Sequence, residues 1–404
     1  MTATAFAQPR GAARDGVAVW CGWVNVGAAV LIPLIGWLSP LGFAPLLALM
    51  GVLSLPALRI ADDDRPVLIV LLGALVWGAV STTWSPSHPK QIDHRVIIQV
   101  ALALPLFWSA ICGARRADPR LNALALHMLA WGLAFHGLML LADVFTNARF
   151  YQALHERFLA PIAIDRAQTN VGHSSFILAV LWPAAMIGPL SRYRQLVLLA
   201  VAILGTVLAA HVFDADAPVL AFPLSAIVML LVWVRPRLGP RLLAGAAAAA
   251  ALLFPGLVWL LRISGDYGLL EHVIPYSWGM RMSYWSHTLD WISQEPVRGW
   301  GLDASRAMGD GIDLHPHNAA LQIWLELGLV GAVAAAAFWG LSLIRLEREE
   351  PSLAMSAVAG SVAAFLLFAW LNYGVWQQWW MALGGLIPVL AAMLENRGQN
   401  VKST

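Results

Sequence analysis

The feature that most constrains this chain is where its charges are absent. Apolar runs of about twenty residues recur from end to end, and the lysines, arginines and acids collect in the segments between them. A run of that length lets an α-helix cross the hydrocarbon core of a bilayer, and a helix satisfies its own backbone groups where no water can. Such runs read near 16–37, 40–58, 66–84, 96–114, 121–145, 174–190, 195–213, 217–234, 242–261, 318–344, 352–371 and 377–394. With 59% hydrophobic and 12% charged residues over 404 positions, the chain is too apolar for a soluble globule. The expected fold is an all-α polytopic membrane protein of about 12 transmembrane helices, a single membrane domain over residues 1–404.

The connections set the expected orientation. The run from Gly16 to Trp37 is too long for a signal-peptide core and another follows at once, so it reads as a retained first span. Placing the N-terminus inside puts 16 of the 25 basic residues on inner segments, including Arg10, Arg14, Arg397 and Lys402. Two long polar segments then face outward: 146–173, and a larger loop, 262–316, between the ninth and tenth spans. Cys21 and Cys112 lie in apolar runs, which argues against a disulfide framework or a zinc site. The net charge of +2 gives no reason to expect nucleic acid, and no phosphate-binding glycine loop or nucleophile-elbow serine is present. Asp62, Asp63 and Asp64 read as a solvated charge run, and Asp214 with Asp216 lacks a third ligand for a metal.

Chemistry concentrates at HPHNAALQIWLELGLVG, residues 315–331, where the large loop becomes the helix over 318–344. A histidine at a helix N-terminus is biased toward its neutral form, which makes His317 a candidate general base; simple capping by His317 and Asn318 is the plain alternative. Upstream, GMRMSYWSHTLDWI carries Arg281, Trp285, Thr288 and Ile292 along one helical side. That segment is either an interfacial amphipathic helix or one that sends Arg281 into a site, where a guanidinium fork suits a phosphate. Arg166 stands ahead of the sixth span with Gln168, Thr169, Asn170 and His173. Asn318, Gln322 and Glu326 share one face of the tenth span; Glu326, roughly 13 Å below His317 at the helical rise, is expected to meet a neighbouring helix. Gly328 and Gly331 are expected to allow close helix packing. Tryptophans near span ends, Trp37, Trp84, Trp376 and Trp380 among them, read as an interfacial belt.

The His-Asn pair, nine residues, Gly328, two residues and Gly331, together with Arg281, Trp285, Pro296, Gly299 and Gly301 upstream, resembles the signature of the O-antigen ligase and O-antigen polymerase superfamily. That resemblance implies a glycosyltransferase of the bacterial inner membrane, with its active site facing the periplasm and no metal or cofactor. Its donor would be an undecaprenyl diphosphate-linked glycan, and membrane lipids would surround it. His317 would be the base, Arg281 and Arg166 would hold the diphosphate, and Asn318, Trp285, His315 and Asn170 would contact substrate. The acceptor is lipid A-core in a ligase and a carrier-linked glycan in an O-antigen or exopolysaccharide polymerase; a lipid-linked glycan transporter also stays open. One departure is FDADAP after the seventh span, where many members carry a Ser-Arg pair.

Overall fold

A computed structural model describes residues 15–91, 95–185, 187, 191–265, 273–274, 276–309 and 311–401. Arg10, Arg14, Lys402 and the Arg397 side chain, counted in the orientation, lie outside the described residues, as do parts of the 262–316 loop and the end of the 174–190 run. The described residues form helices and turns with no strand. The helices are α1 (Gly16–Leu38), α2 (Phe43–Leu53), α3 (Arg65–Ser81), α4 (Val96–Arg116), α5 (Pro119–Thr146), α6 (Arg149–Phe158) and α7 (Ile164–Ala185). They continue with α8 (Arg192–Val212), α9 (Ala217–Val234), α10 (Leu238–Ile263), α11 (Tyr276–Gln294), α12 (Ala319–Ile344), α13 (Leu353–Leu371) and α14 (Gln378–Val401).

Ten of these are long and apolar enough to cross a membrane, where the sequence suggested about twelve. The second expected span is the 11-residue α2 between two short 3-10 turns, about half a bilayer in length. The sixth is α7, which begins ten residues before the expected span. Arg166, Gln168, Thr169, Asn170 and His173 therefore lie on its opening turns, while Phe176 to Ala185 are buried among other helices. The core sits where α5, α7, α13 and α14 meet, around Leu129, Leu133, Ile177, Leu181, Phe368 and Trp380.

The two ends of the bundle collect different polar residues. At one, Asp64 is buried and receives Arg115 at 2.5 Å and Arg345 at 2.5 Å, while Arg116 pairs with Asp15 and Arg241 with Glu347. Asp64 is thus not part of a solvated run, although Asp62 and Asp63 are exposed. It fastens the start of α3 to the ends of α4 and α12. Arg115, Arg116, Arg241 and Arg345, assigned to one side of the membrane, carry these pairs.

The other end is organised by a break in α12. Gly328 adopts φ 62° and ψ −159°, a conformation essentially restricted to glycine. The break frees carbonyls inside an apolar region, and each needs a donor. Residues 296–302 supply most of them by lying against the break: Trp300 N–H donates to Leu325 O at 2.9 Å and Gly301 N–H to Glu326 O at 2.8 Å. Leu329 N–H donates to Pro296 O at 2.9 Å, and Trp77 Nε1 on α3 donates to Leu327 O at 3.0 Å. Trp84 Nε1 reaches Gly299 O at 3.1 Å, so this tryptophan pins the loop. Gly299 and Gly328 approach so closely that a Cβ on Gly328 would lie 2.3 Å from Val297 O.

One turn above the break, Glu326 is fully buried and accepts four hydrogen bonds. They come from Asp303 N–H at 2.7 Å, Ser305 Oγ at 2.7 Å, Gln322 Nε2 at 2.9 Å and Trp376 Nε1 at 2.5 Å. The expected polar contact exists, but its partners are mostly the re-entering loop and the α13–α14 connection rather than a neighbouring helix.

Gly328→Ala should therefore lower stability in detergent by about 2 kcal/mol or more, from backbone strain alone before the clash is added. Gly340→Ala, on the same helix with open space around it, should be neutral or slightly stabilising. Thermal unfolding followed by tryptophan fluorescence reads both; equal midpoints would contradict the account of the break.

Candidate active site

Residues 313–318 sit directly above that glutamate. Asn318 is the N-cap of α12: its Oδ1 accepts from Leu321 N–H at 2.9 Å and its Nδ2 donates to Trp370 O at 2.6 Å. The residue is buried, so both ends of its amide are engaged within the protein. His317 precedes the cap in the left-handed region, φ 55°. Three contacts hold it there. Its N–H donates to His315 Nδ1 at 3.1 Å, Trp285 Nε1 donates to Pro316 O at 3.1 Å, and the Tyr284 ring stacks on the imidazole with centroids 5.6 Å apart. Tyr284 is itself oriented by a 2.7 Å hydrogen bond to Asp313 Oδ2.

Helix α11 can deliver these contacts because its apolar side is anchored. Met282, Trp285, Thr288 and Ile292 are buried, with Trp285 edge-on to Phe254 of α10 at 5.5 Å and the cluster closed by Val258, Leu321 and Leu325. The spacing that suggested an amphipathic helix is the spacing that packs it on α10 and α12. Trp285 serves as a clamp on the His315–His317 segment.

His315 carries a tautomer constraint. Its Nδ1 accepts the His317 N–H, so in the neutral ring the proton must be on Nε2. Gln377 has its amide nitrogen 3.0 Å from that Nε2, while its Oε1 is buried with no partner. Turning the amide over places Oε1 as the acceptor of Nε2–H, the usual resolution of such a pair, and leaves the amide NH2 in the buried position without a partner. Gln377 and His315 together then fix the backbone of His317.

Arg281, within electrostatic reach of His317, opens on a cavity of about 240 Å³ that is also lined by Thr169 and His173 of α7, Asp214 and Asp216 of the α8–α9 turn, Trp278 of α11, and Asn372. The FDADAP turn, which departs from the family pattern, thus faces the same space as Arg281. Arg281 lies over the Trp278 ring, 5.4 Å from its centroid. Its neighbours in sequence are neutralised: Arg262 pairs with Asp290, Arg298 with Glu295 and Arg306 with Asp303. Among the described residues no carboxylate pairs with Arg281, and burial depresses its pKa. Arg166 is exposed on the first turn of α7, within electrostatic reach of His173 as Arg281 is. Asn170 instead receives no cavity position and donates to Tyr151 Oη at 3.2 Å.

Polar atoms left without partners gather here. His317 Nδ1, Asn372 Oδ1 and Tyr373 Oη are all buried and unbonded. Such groups are uncommon and mark places where a ligand completes the bonding. Nothing in the sequence distinguished Asn372 or Tyr373; they lie in an ordinary-looking connection and are brought in by tertiary packing. Both histidines are held neutral. Burial is the main cause for His317, reinforced by the positive charge of Arg281, and burial pushes His315 down to about 3, assisted by His317 and Arg306. The helix terminus, which the sequence suggested as the cause, is not needed to explain it.

Fold and site together define a polytopic helical membrane protein with a cation-bearing polar cavity beside a buried, neutral histidine pair at one end of its bundle. Residues 198–336 match the family described as O-Antigen ligase, a segment that includes Arg281, Trp285, His315, His317 and Asn318 but not Arg166 or Asn170. The chain is also similar to curated proteins named "Putative polysaccharide ligase". It is 24% identical over 198 residues to the one from Rickettsia conorii, covering 45% of this chain and 47% of that protein. With the one from Rickettsia bellii it shares 28% over 200 residues, covering 45% and 48%. The chain therefore spans about half the length of these relatives, and the O-antigen ligase resemblance drawn from the His-Asn signature is borne out.

The neutral pair has a consequence for stability. An unfolded imidazole takes up its proton near pH 6.5, whereas the folded pKa values are depressed, so the unfolded state binds more protons as pH falls. Stability in detergent should be fully present above about pH 6.5 and decline below it. In His315→Asn, whose amide oxygen can take the place of Nδ1, the decline should be shallower; an unchanged slope in thermal midpoints across pH 4–8 would refute the linkage.

Proposed function

We propose that this chain is an inverting glycosyltransferase that moves a glycan from an undecaprenyl diphosphate carrier to an acceptor hydroxyl, with lipid A-core as acceptor, at the periplasmic face of the bacterial inner membrane. The observation that carries the reading is Arg281: a half-buried guanidinium that pairs with no carboxylate among the described residues, in a polar cavity and within electrostatic reach of the neutral His317. A cation kept partly desolvated and unneutralised is suited to an anionic group that arrives with the substrate. The family match and the names of the relatives support glycan transfer of the ligase type.

The chemistry follows from these groups. His317 accepts the proton of the acceptor hydroxyl on a ring nitrogen. The acceptor oxygen forms a bond to the anomeric carbon as the bond from that carbon to the diphosphate oxygen breaks, and the electron pair leaves with the carrier diphosphate. Arg281 offsets the developing charge, with Arg166 at the rim as a second cation. Tyr284 and His315 keep the imidazole from rotating away. A transporter reading is less well supported, because the break in α12 is filled by loop backbone and the conspicuous polar groups gather at one end of the bundle.

The test is transfer by purified protein in detergent, supplied with an undecaprenyl diphosphate-linked glycan, with and without lipid A-core and with chelator throughout. Product that requires lipid A-core supports the ligase reading; carrier-linked chains that lengthen without it indicate a polymerase, and no product with active controls refutes transfer. His317→Ala should lower kcat by about 10²–10⁴-fold with folding intact. Activity requires neutral His317, so it should fall as pH drops through that group's depressed pKa, below 6.5. Arg281→Gln removes a nearby positive charge, lets that pKa rise and should move the acid limb to higher pH; a limb that stays put would remove His317 as the titrating base.

A further inference from the structure

A second cavity opens at the same end of the bundle. It has a volume of about 580 Å³ and is formed where the chain leaving α3 meets the start of α4, the 304–307 turn and the α13–α14 connection. Ser87, His88, Gln99, Asp303, Arg306 and Trp376 supply its polar and aromatic lining. Neither the diphosphate chemistry nor the family signature uses any of them.

The composition of this wall excludes two occupants and favours a third. A diphosphate needs uncompensated cations, and the arginine here is already tied through Nε to Asp303 at 2.9 Å. A lipid chain needs apolar walls, and hydroxyl, imidazole, amide, carboxylate and guanidinium groups dominate instead. That mixture of donors and acceptors around one indole matches a saccharide ring, which presents closely spaced hydroxyls along its edge and a C–H face that packs on an aromatic surface. The wall is also preorganised. Trp376 Nε1 and Asp303 N–H both donate to the Glu326 carboxylate, and Ser87 Oγ donates to Asp303 Oδ2 at 3.0 Å, so the indole and the carboxylate are fixed before anything binds.

Its position gives it a role. Gln377, the residue after Trp376, has its amide 3.0 Å from the His315 ring, and that ring lies 4.2 Å from the ring of His317. Arg281, on the wall of the other cavity, is within electrostatic reach of His317. The histidine pair is thus linked to both spaces, through Gln377 to the one beside Trp376 and through Arg281 to the other, as a reaction with two substrates requires. We propose that the cavity of Ser87, His88, Asp303, Arg306 and Trp376 is the acceptor subsite, which holds a saccharide unit of the acceptor and presents its hydroxyl toward His317. This assignment rests on the glycan-transfer reading above. The same chemistry is offered by two sources, the core glycan of lipid A-core and the glycan of a second carrier-linked unit.

Two measurements test it. First, binding of delipidated core oligosaccharide and of the free donor glycan to the purified full chain is titrated, with no turnover required, for the wild type, His88→Ala and Arg306→Lys. Both side chains are mostly exposed, so the variants should keep the wild-type unfolding midpoint. One of the two saccharides should bind the wild type and bind each variant about tenfold more weakly, as expected for the loss of a polar contact; which of them binds identifies the source. Second, initial rates are measured with acceptor and donor varied separately: the variants should raise the acceptor KM about tenfold and leave the donor KM and kcat within about twofold. Neither saccharide binding, equal binding in all three proteins, or a rise confined to the donor KM would overturn the subsite. Failure of every transfer assay beside intact, His88-dependent saccharide binding would instead count against the transfer reading and leave the saccharide site standing.

Discussion

One carboxylate holds the histidine-bearing end of the bundle together. Glu326 lies inside a membrane helix, where an ionisable group is expensive unless it is surrounded by donors, and it is surrounded by four. Those donors come from the 303–305 loop, from α12 itself and from the α13–α14 connection, segments far apart in the chain. Leaving any of them unbonded in an apolar setting would cost free energy comparable to a lost buried hydrogen bond, so the arrangement is specific rather than merely adhesive. The adjacent break at Gly328 works with it. Each carbonyl the break releases finds a donor in the re-entering loop or on α3, and the loop can satisfy its own backbone at that depth only because the helix is broken.

From that anchor the site is built in layers of decreasing constraint. Asn318 caps the helix, the loop above it is fixed by Trp285 and by the His315–His317 contact, and the imidazole of His317 is set by Tyr284. Electrostatics then separates residues that look alike in sequence. Arg262, Arg298 and Arg306 have carboxylates within reach, whereas Arg281 has none among the described residues. Partial burial of an unpaired cation is unfavourable without a ligand, and the unbonded Asn372 Oδ1 and Tyr373 Oη nearby have the same character. The end of the bundle carrying Asp64, Arg115 and Arg345 is the converse: there the buried charges are matched within the protein.

Much of the architecture is legible in the amino-acid sequence. Apolar runs of bilayer length require helices, and the spacing of Trp285, Thr288 and Ile292 requires that α11 bury that side. His317 and Arg281 are similarly readable, because a histidine at a helix start and an arginine on an otherwise apolar helical side are conspicuous. Less is legible where a residue's role depends on distant partners. Asp64 reads as one of three solvated acids and is buried between two arginines; the hydrogen bonds of the half-buried Trp84 and Trp376 to Gly299 O and to Glu326 have no counterpart in the spacing.

What the sequence by itself determined is a helical membrane protein and the start of α12, with His317 and Arg281 singled out as candidates. These follow from hydrophobic length and periodicity, which act along the chain and need no knowledge of neighbours. Only the tertiary structure decided that α2 is short, that α7 begins early, that α12 breaks at Gly328, and that Asn372, Tyr373 and Gln377 stand beside the histidines. The physical reason is common to all four. A backbone group or polar side chain in an apolar interior adopts whatever position gives it a partner, and partners separated by tens to hundreds of residues leave no trace in local spacing.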